Sequence, residues 1–483
     1  MTSTTSKGLL AIGGVVLLTS FAALHAPSGE VSLPIEIERS GSLSLSDKGT
    51  IHELAFGVPL ATQQIDIDFT YSPVDCPIEL DLGVRSPLGV RGWSEDRSDH
   101  IHIDTISASH GYLPGPIEHG TWSLLVGAAN IPAGVTVRYQ VTLRLSNRVD
   151  ARRLSLRSEA GWFAGDLHSH SGHSDGYYTG ADGTRRPVSV ADIVSAAIRN
   201  RLDFVAVTDH NTASHWLDLD RIQPSTDRLL LLHGSEITTY RGHFNAIGGR
   251  RIPVFVLGPT RPMSAVLQDA AQDGAFVSIN HPWLPNDDWC AGCGWSDTDG
   301  TTLAAAAGVE ILNGPSRDAD PPGWRFWANL LNAGHRVVAV GGSDAHNPTD
   351  PKQPLGTPTT MVQASALSED ALIDGLRSGR AYVRSETGSD ATLDFSATSN
   401  GLTVSMGGAL PPGRILLNAV VGQARRQELV WIKRGREIGT TPLGSNNATA
   451  TRVVNAVAGD WFSVIVRRGE RPTLLSNAIF IDQ

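Results

Sequence analysis

Trp162-Phe-Ala-Gly-Asp166-Leu-His168-Ser-His170 decides the fold class, because an apolar, strand-like run stops here on a row of polar side chains suited to holding metal. The same arrangement recurs downstream. The run from Leu202 ends in Thr208-Asp209-His210, and the run from Leu229 in Gly234-Ser-Glu236, with Gly242-His243-Phe-Asn245 just beyond. Ala275 to His281 ends in Asn280-His281-Pro282, and the run from Arg336 in Gly341-Gly-Ser-Asp344-Ala-His346. A further strand-like run spans Gly308 to Asn313, and helical patterns fall near Val190 to Asn200, Trp324 to Ala333 and Ser368 to Ser378. Repeated β then α predicts a parallel sheet, open or closed into a barrel. In a barrel the carboxyl ends of the strands converge on one face, so these distant side chains would surround one point.

The residue types suit a metal cage. An extended His-x-His pair sends both imidazoles to one side of the strand, and Asp344 with His346 repeats that geometry. Mixed imidazole and carboxylate ligation suits Zn, Mn or Fe, and one carboxylate such as Glu236 can bridge two ions. Asp166 and Asp209 precede ligand candidates and are read as orienting them. His173, His215, His233 and His335 are read as surface, core or helix-end residues. Asn211, Arg241 and Asn313 are candidate substrate contacts. Trp283, Trp289 and Trp295 either wall a pocket or anchor a loop.

Outward from this region the pattern changes. Residues 31–150 carry short alternating runs such as Gln64-Ile-Asp-Ile-Asp-Phe69 and Val135-Thr-Val-Arg-Tyr-Gln-Val-Thr-Leu-Arg-Leu145, separated by turn signals, which predicts a β-sandwich or jelly roll. His100, His102, His110 and His119 lie there without carboxylates at ligand spacing and are not expected to hold metal. Alternation returns over 391–483, predicting a second, C-terminal β-sandwich.

With 483 residues the chain is long enough for several domains. Its 39 Lys and Arg against 49 Asp and Glu, net -10, argue against nucleic-acid binding, which rests on clustered positive charge. Lys7 followed by the apolar stretch Gly8 to Leu24 reads as a signal peptide within residues 1–30. That predicts export to a periplasmic or extracellular location, or membrane anchoring through the N-terminus if the segment stays uncleaved. Cys290-Ala-Gly-Cys293 reads as a short disulfide or two inert thiols, with Cys76 left over. Oligomeric state is left open.

As an ordered set, Asp-Leu-His168-x-His170 with Ser174-Asp175-Gly176, Thr-Asp-His210, Glu236, His281 and Gly-Ser-Asp344-Ala-His346 resembles the PHP (polymerase and histidinol phosphatase) superfamily over residues 161–385. Gly242-His243-Phe-Asn245 and the flanking β regions are similar to its carbaryl-hydrolase-like, CehA/McbA-type branch. The resemblance implies an α/β fold, a distorted (β/α)7 barrel, with two or three divalent ions. His168, His170, Glu236 and Asp344 would hold the first and form the catalytic set. Glu236 would bridge to a second ion on His243 and His281, and Asp175, His210 and His346 would hold a third. In some relatives a His stands where this chain has Asp175. The expected reaction is hydrolysis of a small-molecule ester, first of all a phosphoester, by water activated on the metal. Carbamate or aryl ester hydrolysis is the alternative. An exported metal-containing binding protein without turnover is the third reading.

Overall fold

The computed structural model describes residues 33–74, 77–94, 100–105, 108–109, 111–147, 155–286, 292–297, 300–316 and 318–482. The expected signal segment, Cys76, His110, Trp289 and Cys290 lie outside the described residues. The protein is mixed α/β and mostly β. Among the described residues no helix is long and apolar enough to cross a membrane.

The central region is built on one mixed sheet. Its strands run, by hydrogen-bonded neighbour, Val338–Gly342, Gly308–Asn313, Phe276–Ile279, Gly242–Ile247, Leu230–Thr239, Phe204–Val207, Gly161–Asp166, Thr359–Ala364 and Ala381–Arg384. These strands are largely apolar and mostly buried on both faces, as expected for a sheet covered by helices. The helices Val190–Arg199, Met263–Gln272, Pro322–Asn332 and Glu369–Arg377 each bury an apolar stripe. Ser189 caps the first by accepting from Asp192 N, and Asp192 returns the bond to Ser189 N.

Repeated β then α does not hold throughout. Gly242–Ile247 is antiparallel to both of its neighbours, and Thr359–Ala364 and Ala381–Arg384 also run antiparallel to theirs. A two-residue turn at Tyr240 and Arg241 makes the Leu230 and Gly242 strands a hairpin, leaving no room for a helix between them.

The Val338 edge of the sheet folds back beside the Gly161 and Thr359 strands. Past the Val338 strand, Asp344 N donates to His168 O at 2.9 Å, and His170 N donates to Ala345 O at 3.0 Å. Lower down, the hydroxyl of Thr360 accepts from Gly341 N and donates to Gly341 O. The segments carrying His168, His170, Asp344 and His346 are thereby stitched edge to edge.

The flanking regions differ in how they attach. The N-terminal region is two four-stranded antiparallel sheets around one apolar core that includes Ile65, Val84, Trp122 and Leu143. In the C-terminal region the inner layer continues the central sheet, since Tyr382 pairs with Ser476. The outer layer, with Thr392–Ser399 and Gly413–Gly422, packs on it through Phe395, Leu417, Trp431 and Phe462. The Asn477 side chain bonds Ala339 N, Ala339 O and Ala381 O, tying this extension to the Val338 strand.

Candidate metal centre

The cluster begins with strand alternation. His168 and His170 project to the same side, placing their Nε2 atoms 3.1 Å apart, both fully buried. Asp344 Oδ1 reaches them from across the seam, 3.3 Å from His168 Nε2 and 3.0 Å from His170 Nε2. Asp344 and His281 both adopt left-handed backbone, φ +53° and +28°, a conformation uncommon outside glycine and concentrated where a site imposes it.

Glu236 stands at the centre. Its Oε2 lies 3.3 Å from His168 Nε2, 3.4 Å from His170 Nε2 and 3.0 Å from His210 Nδ1. Its Oε1 lies 3.1 Å from His281 Nε2 and 3.3 Å from His243 Nδ1, and accepts from Asn280 Nδ2 at 2.9 Å. One carboxylate thus faces two sets of imidazoles with its two oxygens. A third group lies toward solvent: His346 Nε2 and His210 Nε2 sit 3.3 and 3.6 Å from the half-exposed Asp175, with His170 Nδ1 at 3.9 Å.

These groups fit divalent ions. Asp344 Oδ1, Glu236 Oε2, His170 Nδ1 and both ring nitrogens of His243 are buried without a hydrogen-bond partner among the described residues. Burying polar atoms unpaired is costly, and a cation held between them would take their lone pairs. Potential ligand atoms converge within 4.8 Å in the sets His168/His170/Glu236, His168/His281/Asp344 and His170/Asp175/His210/His346. Nitrogen and carboxylate oxygen in such sets suit Zn, Mn or Fe.

The electrostatics follow from that crowding. Burial opposes charge on His168, yet Asp344, Glu310 and Glu236 hold its pKa well above the imidazole range. His210 is pushed up to about 10 and His346 to about 9, against burial, by Glu236 with Asp175 and by Asp175 with Asp344. Burial and the neighbouring His346 push His170 down to about 4. Burial alone would raise Glu236 and Asp344, but the surrounding imidazoles, His168 foremost, hold both well below the carboxylate range.

All nine residues expected as ligands, His168, His170, Asp175, His210, Glu236, His243, His281, Asp344 and His346, are brought together. The expected substrate contacts diverge. Both ends of the Asn211 amide are engaged by the Thr238 backbone, Oδ1 accepting from N and Nδ2 donating to O, so Asn211 fixes the hairpin instead of offering a free amide. Asn313 Nδ2 donates to Glu310 and Asp344, at the edge of the cluster. Arg241 is exposed at the hairpin tip, where its carbonyl accepts from Ser296 N.

Glu310 was not anticipated. It lies in the strand Gly308–Asn313, and its Oε1 accepts from His168 Nδ1 at 2.7 Å while its Oε2 accepts from His281 N at 3.0 Å. Its signal in the sequence is a lone acid in an otherwise apolar run. Gly342 makes room for the pair: a Cβ there would come within 2.4 Å of His168 Cβ and 2.7 Å of Glu310 Oε1. Behind the outer group, buried Asp209 accepts from Ser171 N, Ser171 Oγ and Ser174 Oγ, and so fixes the turn that carries Asp175.

Three further expectations are narrowed. His102 does meet carboxylates, Asp66 at 2.7 Å and Asp104 at 3.0 Å, because pairing with the neighbouring strand supplies Asp66. Cys293 is disulfide-bonded. Trp295 is buried in the central core and Trp283 packs against Gly323, so described segments of the Cys loop are anchored by aromatics.

No known family profile and no curated protein matches the chain. Among solved structures it is similar to a two-domain protein from Bacteroides vulgatus containing a predicted PHP-like metal-dependent phosphoesterase, at 18% identity and TM-score 0.40, covering 66% of this chain and 95% of that one. It is also similar to a protein from Bifidobacterium adolescentis described as a candidate metal-dependent phosphoesterase, at 17% identity and TM-score 0.30, covering 44% and 94%. Likeness at these levels assigns no activity.

Proposed function

We propose that the protein is a metal-dependent hydrolase of small-molecule esters, and first of all a phosphoesterase. The observation that carries this reading is Glu236, whose two oxygens face separate imidazole sets within 3.0–3.4 Å, the disposition of a carboxylate bridging two ions. Divalent ions held there would polarise a substrate oxygen and make water a competent nucleophile at neutral pH.

The chain's own residues supply order. Glu310 orients His168, Asn280 holds Glu236, and Asp209 fixes the turn carrying Asp175. The half-exposed group of Asp175, His210 and His346 supports a phosphoester in preference to a carbonyl substrate, because a third cation beside the bridged pair would match the several charged oxygens of a phosphoryl group. The reading takes the central sheet as a distorted barrel of the PHP type, supported by the backbone bonds between the His168 and Ala345 segments. Export belongs to the same proposal and is supported by the Cys293 disulfide, a bond favoured in oxidising compartments.

The test is hydrolysis of phosphomonoesters, phosphodiesters and aryl carbamates by protein loaded with Mn or Zn, with and without chelator. Chelator-sensitive phosphoester cleavage is expected. Turnover of aryl carbamates alone would replace it with carbonyl chemistry, and turnover of none would leave a metal-holding binding protein.

A further inference from the structure

Beside the second imidazole set lies a residue that the hydrolytic reading does not use. The sulfur of Cys293 and a ring nitrogen from each of His243 and His281 lie within 4.8 Å of one another, and all three residues are buried. His243 is only 2% exposed and neither of its nitrogens has a hydrogen-bond partner among the described residues, with Nδ1 lying 3.3 Å from Glu236 Oε1.

The backbone around Cys293 is fixed. Trp295 N donates to Pro282 O, Ser296 N donates to Arg241 O, and Gly294 N donates to Asn286 Oδ1 at 2.7 Å. Gly292, at φ +91°, packs so close to the hairpin that a Cβ would come within 2.0 Å of Thr239 O. Cys293 O lies 3.1 Å from His281 Nδ1, so the residue already orients that imidazole through its carbonyl. Its sulfur, however, is tied in a disulfide, and a disulfide sulfur lacks the charge that makes a thiolate a strong ligand.

We propose that Cys293 is a redox-gated metal ligand, whose sulfur joins His243, His281 and Glu236 around the second ion when its disulfide is reduced. The proposal rests on the metal-centre reading above. A phosphine reductant and water convert the disulfide into two thiols and a phosphine oxide. The Cys293 thiol then passes its proton to solvent as its sulfur takes the ion. Oxidised, the set offers two imidazoles and a carboxylate, which leaves a tetrahedral ion one open position. Reduced, the thiolate fills that position, and the set becomes softer and favours zinc or cobalt over manganese.

Cobalt(II) reports the sulfur directly, because thiolate ligation adds a charge-transfer absorption in the near ultraviolet. The full chain, loaded with cobalt while oxidised, should show visible ligand-field bands without that absorption. After phosphine treatment, desalting and reloading, the charge-transfer band should appear. It should be missing from reduced Cys293→Ser, and present without reductant in the double variant Cys76→Ser, Cys290→Ser. Cobalt bound in both redox states with no new band would overturn the proposal and leave the metal centre standing. An equal band in reduced Cys293→Ser would also overturn it, by assigning the sulfur elsewhere. Cobalt bound in neither state would sink the metal-centre reading itself, and this proposal with it.

Discussion

Glu310 Oε1 accepts a hydrogen bond from His168 Nδ1 at 2.7 Å, which leaves His168 Nε2 to face Glu236, His170 and Asp344. Such a carboxylate behind a ligating imidazole fixes its tautomer and raises its basicity, and losing it commonly weakens metal binding about 10–100-fold. Glu310→Gln keeps the shape and removes the charge. Metal affinity measured by chelator competition should fall by about that factor, with secondary structure unchanged. Wild-type affinity would show that the contact does not matter for the ion.

Asp209 makes a separate prediction. It accepts three hydrogen bonds from Ser171 and Ser174 while fully buried. An amide accepts at only one end, so Asp209→Asn leaves at least one donor unpaired, at a cost of about 1–3 kcal/mol. Denaturant unfolding should show that loss together with weaker metal retention at the Asp175 group. Unchanged stability would mean that the turn finds other partners.

Much of the site was legible because strand alternation turns His168-Ser-His170 and Asp344-Ala-His346 into same-side pairs, and because each apolar run stops on its ligand. Glu310 escaped because it sits inside its apolar run, two residues after Gly308. The antiparallel Gly242–Ile247 strand escaped because Gly-His-Phe-Asn reads as a tail to Glu236, and only the tight turn at Tyr240 and Arg241 reverses it. The fusion of the C-terminal sheet to the central one depends on Tyr382 meeting Ser476, a pairing that no local pattern encodes. Likewise, Asp66 and His102 are far apart in the chain and adjacent only through register.

Proton release should accompany metal binding. In the metal-free cluster His210 and His346 titrate at about 10 and about 9, so at pH 7 they carry protons that an incoming ion must displace, and His168 is shifted in the same direction, against burial, by Asp344, Glu310 and Glu236. Titration calorimetry with zinc in buffers of different ionisation enthalpy should reveal net proton release. Heats independent of the buffer would contradict that protonation pattern.

In the N-terminal sandwich burial disfavours a charged His102, but Asp104 and Asp66 outweigh it and push the pKa up to about 9. The unfolded imidazole titrates near 6.5. The protonated ring therefore contributes its full stabilisation below about 6.5, and that contribution is lost as pH rises through about 9. Between those values wild type should lose stability relative to His102→Gln in denaturant unfolding. Parallel curves for the two proteins would count against the ion pairs.

Glu236 is proposed to bridge a centre of more than one ion. Elemental analysis of wild type and Glu236→Gln, both loaded with Mn or Zn and then desalted, tests it most directly. More than one divalent ion per chain is expected in wild type, with most of the metal and the hydrolysis lost together in the variant. A wild-type chain that retains no more than one ion, or a variant that retains as much metal as wild type, would overturn that role.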